Sequence, residues 1–150
     1  DTIPQSYVLL YTLNSEQKLV DRARKIASEL GVPVVCIHYN TKKFPGMINV
    51  RGIGPAAFLK LVSGASFVCT DSFHGACVSM NFNKSFVVKT SDSAVQSNVR
   101  ITDLLARYGI EGCLYRDEVV TTAVDYGHAN QALSHDRDAA RAFIARCIGL

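Results

Sequence analysis

The sequence predicts an α/β domain built on a doubly wound, mostly parallel sheet. Three observations carry that prediction. Strand-like and helix-like segments alternate along the chain, the strand-like runs are apolar at nearly every position, and the helix-like segments mostly show one apolar stripe. A continuous apolar run suits a strand covered on both faces, which is the situation inside a parallel sheet.

The first such run is Tyr7 to Leu13, ending at Asn14. Asn14 or Ser15 can cap the helix that follows, because a short polar side chain there accepts a hydrogen bond from an otherwise unpaired N–H. Leu19, Ala23, Ile26 and Leu30 make that helix's apolar stripe, and Gly31 closes it. Pro33 leads into a second strand, Val34 to His38, completing one strand-helix-strand unit. A polar loop from Tyr39 to Gly46 precedes a short strand, Met47 to Val50. Pro55 then suits the first position of a helix over Ala56 to Val62, ended by Gly64.

Phe67, Val68 and Cys69 form the central strand, and Thr70, Asp71 and Ser72 offer oxygens to cap the helix behind it. In that helix Phe73, Ala76, Cys77 and Met80 recur at helical spacing and should pack beneath the sheet, leaving His74 projecting near the first turn. Ser85 to Lys89 reads as another strand, and Thr90 to Asn98 as a polar stretch too long for a tight connection. Ile101, Leu104, Leu105 and Tyr108 form a helical stripe ending at Gly109, and Leu114 with Tyr115 make a short final strand. Asp125 opens a long last helix whose Leu133, Ala140, Phe143, Ile144 and Cys147 should turn inward.

Ligands of doubly wound sheets bind beyond the carboxyl ends of the strands, where the strand order reverses. With the order 3-2-1-4-5 the first strand and the Phe67 strand meet there. Asn14, Ser15, Asp71, Ser72 and His74 should then face one crevice. The start of the helix after Ser72 supplies free N–H groups and partial positive charge, a setting for phosphate or carboxylate.

Composition excludes several classes. A length of 150 residues fits one domain with a substantial core, and the net charge of +3 is spread without a Lys/Arg block or aromatic-basic interleaving, so nucleic acid is not an expected partner. No apolar run approaches the roughly 20 residues that cross a bilayer. The five cysteines are odd in number and have no zinc-like spacing, which predicts reduced thiols and a cytoplasmic setting. No cluster of carboxylates or histidines suggests a metal, and His38, His128 and His135 lack partner spacing. Gly52-Ile53-Gly54-Pro55-Ala56-Ala57 matches a dinucleotide fingerprint, but it follows the third strand rather than the first, which argues against NAD.

Thr70-Asp71-Ser72-Phe73-His74-Gly75 resembles the Thr-x-Ser-Phe-His-Gly signature of the polysaccharide pyruvyl transferase family. Gly54 to Leu59 is similar to that family's Gly-Pro-x-x-Phe-Leu segment, Lys84-Ser85-Phe86 to its Lys-Pro-Phe, and Asn98 to Ile101 to its Arg before a Leu-Leu helix. Ser85 departs from the usual Pro. The resemblance implies a Rossmann-like, glycosyltransferase-B-like half of a two-domain enzyme. The chain opens without Met, and a further domain is expected ahead of it.

The family transfers the pyruvyl group of phosphoenolpyruvate to two hydroxyls of a sugar, in a surface polysaccharide or its lipid- or nucleotide-linked precursor. No cofactor is implied beyond that donor, and the work would sit in the cytoplasm or at the inner face of the membrane. His74 is then the catalytic residue, as acid, base or phosphate clamp. Asp71, Ser72, Gly75, Asn98 and Arg100, with Asn14 and Ser15, are the substrate-binding candidates. Two other classes remain: a domain binding a nucleotide sugar at the same helix start, and a non-catalytic binding module.

Overall fold

The computed structural model describes residues 2–38, 43–91, 95–117 and 123–149, with the side chains at 95–97 left out. Five strands, β1 (Val8–Thr12), β2 (Val34–His38), β3 (Ile48–Val50), β4 (Phe67–Thr70) and β5 (Phe86–Val88), form one sheet in the order β3-β2-β1-β4-β5, every neighbouring pair parallel. This is the expected order, with β1 central and the reversal between β1 and β4. Val8 pairs with Val34 on one side and Phe67 on the other.

The helices are α1 (Gln17–Leu30), α2 (Pro55–Gly64), α3 (Phe73–Asn81), α4 (Val95–Tyr108) and α5 (Gly127–Cys147). Alternate residues of each strand serve opposite faces, and two apolar cores result. Val8, Leu10, Cys36, Cys69 and Val87 pack on α1 through Leu19, Val20, Ala23, Ile26 and Ala27. Leu9, Tyr11, Val35, Val68 and Val88 pack on the other face against Val62 of α2, Ala76 and Met80 of α3, Ile101 and Leu105 of α4 and Leu133 of α5.

Several local expectations change. Glu16 is the N-cap of α1 and no side chain caps the helix, so neither Asn14 nor Ser15 does; Ser15 instead takes a left-handed φ of 55°. Gly31 does close α1, at φ 65°, with the Val32 N–H reaching back to the Ala27 carbonyl at 3.0 Å. Leu30 lies on the exposed side of that turn. The polar stretch after β5 is shorter than expected because α4 already begins at Val95; residues 39–42 and 92–94 of the two expected loops lie outside the described residues. Among the described residues Leu114 makes a single bridge, to Val88, in place of a strand, and Cys113 is buried in a short 3-10 turn.

The last helix differs most. Asp125 accepts from the Gly127 N–H at 2.9 Å, and Leu133 is buried, but Ala140, Phe143, Ile144 and Cys147 are exposed, Phe143 by 60% and Ile144 by 56%. α5 is anchored where Asp136 meets Arg107 and Tyr108, and where Arg137 bonds Asn81 at 2.6 Å. Its later turns keep the same helical stripe with nothing among the described residues covering it. Helical periodicity locates an apolar face; it does not say where the body beneath ends. No helix among the described residues is long and apolar enough to cross a membrane.

Candidate functional site

The loops after β1 and β4 meet at the carboxyl edge of the sheet. Asp71, directly after β4, is 8% exposed, and its carboxylate accepts three hydrogen bonds from the β1 end: Thr12 Oγ1 at 2.9 Å, the Leu13 N–H at 2.7 Å and the Asn14 N–H at 3.0 Å. Asp71 is therefore not the cap of α3. Its oxygens are met by donors from the adjoining loop, and it sews the two loops together. Thr12 Oγ1 also accepts from the Ser15 N–H at 2.9 Å, which extends the same seam.

Ser72 is the cap. Its hydroxyl accepts from the Gly75 N–H at 3.3 Å, while the Ser72 N–H donates to Thr70 Oγ1 at 3.1 Å. With Ser72 in that position, His74 falls in the first turn of α3 and its side chain is exposed, as the spacing required. The imidazole ring lies 5.9 Å from the Phe73 ring at 78°. Arg100, from α4, sets its guanidinium 5.1 Å above the other partner of that ring, Phe73. The structure thus brings a cation from α4 to the start of α3, beside the residue that precedes His74.

Gly75 has a packing reason to be glycine. A Cβ there would run into Thr70 Oγ1 and come 2.9 Å from Tyr11 Cδ1. Tyr11 in turn meets the Phe58 ring edge-on, with centroids 4.9 Å apart. The Gly-Pro-x-x-Phe-Leu segment and the Ser-Phe-His-Gly string therefore both pack on one tyrosine in β1. Asn98 is occupied: its carboxamide accepts from the Ser91 N–H at 2.9 Å and donates to the Ser91 carbonyl at 2.6 Å, pinning the chain before α4 to that helix. Asn14 is exposed and bound to Asp71 through its backbone, and Ser15 to Thr12 through its backbone.

Sequence reasoning passed over three polar residues of this edge. Thr12 ends β1 fully buried. Lys89, directly after β5, is only 8% exposed and forms an ion pair at 2.8 Å with Glu16, at the start of α1. A charged residue closing an apolar strand was the available signal for Lys89; nothing local marked Glu16 as its partner. Among the described residues no group of three or more His, Cys, Asp or Glu gathers as a metal site. The thiols near the sheet are displaced upward by burial, Cys36 to about 12 and Cys69 further still, so neither is a thiolate nucleophile.

Comparison with known proteins adds the following. No curated protein matches the chain. Among solved structures, the bacterial iron-containing dodecameric glycosyltransferase TibC from enterotoxigenic E. coli H10407 is similar at 15% identity and a TM-score of 0.44, over 85% of this chain and 34% of that one. This chain thus spans about a third of that protein's length. A family model, polysaccharide pyruvyl transferase, matches residues 1–93, which take in β1 through β5 and the whole Thr70 to Gly75 string. With more than half of its length matched, the chain belongs to the polysaccharide pyruvyl transferase family.

Proposed function

We propose that this chain is one half of an enzyme that moves the pyruvyl group of phosphoenolpyruvate onto two hydroxyls of a saccharide, as a cyclic ketal, with release of phosphate. The observation that carries the reading is the exposed His74 on the first turn of α3, at the carboxyl edge between β1 and β4, with Arg100 drawn to the same turn over Phe73. An N-terminal domain would supply the opposite wall, so the isolated chain turns over poorly.

The chemistry needs one carbon to gain a proton and two hydroxyls to lose theirs. Protonation of the donor's methylene carbon makes its neighbouring carbon electrophilic, and the first sugar hydroxyl adds there. The carbon–oxygen bond to phosphate then breaks, and the second hydroxyl closes the ring. One hydroxyl proton replaces the proton delivered to carbon, and the other leaves with phosphate or solvent. His74 is the group placed to carry these protons or to hold the departing phosphate. Arg100 grips carboxylate or phosphate with its fork, and the N–H groups at the start of α3 add partial positive charge. Phosphoenolpyruvate is itself the activated donor, so the scheme needs no further cofactor.

The test is phosphate release from phosphoenolpyruvate by the full-length protein, offered lipid-linked and nucleotide-linked saccharides as acceptors, with His74→Ala alongside. Loss of an acid-base group should cost about 100-fold or more in rate. A variant as fast as its parent would remove His74 from the chemistry.

A further inference from the structure

The loop from Leu13 to Glu16 is held more firmly than a connection between a strand and a helix requires. Asp71 grips the Leu13 and Asn14 N–H groups from one side. From the other, Lys89 Nζ holds Glu16 Oε2 at 2.8 Å, with the two side chains only 10% and 29% exposed. The two anchors spring from adjacent strand ends, because the Lys89 N–H donates to the Thr70 carbonyl at 2.8 Å and Asp71 follows Thr70. Between them Ser15 sits at φ 55°, a conformation that is unfavourable for a non-glycine residue and persists only where its surroundings enforce it. The loop also forgoes a side-chain cap on α1, although Asn14 and Ser15 are both good cap residues. The Asn14 side chain is left exposed, with no hydrogen bond among the described residues.

We propose that Lys89 and Glu16 are positioning residues which, with Asp71, hold the strained loop so that the Asn14 carboxamide meets hydroxyls of the saccharide acceptor. The inference rests on the pyruvyl-transfer reading above and adds the acceptor side to it. A carboxamide donates and accepts at once, as a sugar hydroxyl does, and only a pinned backbone makes such a contact selective. A largely buried ion pair adds little net stability for its desolvation cost, so its place beside this loop fits a positioning role better than a stabilising one.

Two measurements on the full-length protein test this. Amide hydrogen exchange over residues 13–16 in the free protein should quicken about ten-fold in Lys89→Met and Glu16→Gln, stay unchanged in β2, and return towards the parent in Lys89→Arg. In phosphate release, Asn14→Ala and Lys89→Met should each raise KM for the acceptor about ten-fold, with kcat and KM for phosphoenolpyruvate within two-fold of the parent. Unchanged exchange in Lys89→Met and Glu16→Gln, or equal rises in both KM values, would overturn the assignment. If the parent itself releases no phosphate with any acceptor, the pyruvyl-transfer reading and the acceptor contact fall together, while exchange still decides the strut.

Discussion

Replacing Asp71 by Asn isolates the charge of the seam between β1 and β4 while keeping its shape. The carboxylate accepts from Leu13 N–H on one oxygen and from Asn14 N–H and Thr12 Oγ1 on the other. An Asn in either orientation presents an NH2 group to one of the two backbone N–H groups. That N–H is left part-buried without its acceptor, at about 1–3 kcal/mol, and the bond that survives loses its charge assistance, worth about 1 kcal/mol. The expected loss is roughly 2–4 kcal/mol, or about 5–15 °C in Tm for a chain of this size. Urea unfolding followed by far-UV circular dichroism measures it, with the midpoint falling and the slope unchanged. A loss under about 0.5 kcal/mol, the size of an ordinary surface change, would refute the seam and return Asp71 to the pool of free ligand residues.

Gly75→Ala should destabilise by about 1–2 kcal/mol, since overpacking against Thr70 and Tyr11 outweighs the roughly 1 kcal/mol by which Ala favours a helix; a rise in Tm would contradict the packing assignment. Asp136, held down to about 2 by the Arg107 guanidinium and the Tyr108 hydroxyl, contributes stability that is complete above the unfolded value of about 3.9 and is lost as pH falls towards 2. The Tm difference between the parent and Asp136→Asn should therefore shrink across that window; a difference constant with pH would count against it. With Ellman's reagent the native chain should yield the exposed Cys147 first and the half-buried Cys77 slowly, while Cys36, Cys69 and Cys113 wait for unfolding, burial having raised their thiols. Fast labelling of three or more thiols in the native chain would show a looser core.

The sheet was legible because its strands are short apolar runs that two-sided burial explains; alternation gave the doubly wound class, and the observed reversal between β1 and β4 matches the order 3-2-1-4-5 assumed for it. A cap among Thr70, Asp71 and Ser72 and an exposed His74 in the first turn were equally readable, since both depend on neighbours within four positions; the structure narrows the cap to Ser72. What failed depended on distance. Asp71 sits in a string of cap-like residues, and only the loop almost sixty positions earlier shows that its partners lie elsewhere. Asn98 looked available until Ser91 folded onto both ends of its carboxamide. The stripe of α5 was read correctly as apolar and wrongly as covered, because the spacing that defines a face carries no information about the length of the body below it.

The central position of β1 also governs how the chain can be made. Val8 finds Val34 early, but its other edge stays unsatisfied until Phe67 emerges about sixty residues later, an interval of roughly 3–12 s at ordinary synthesis rates. For that time a five-residue strand, apolar from Val8 to Tyr11, offers an open row of amides and carbonyls to any passing strand. Slowing translation between α1 and β4 should therefore lower the chain's soluble yield.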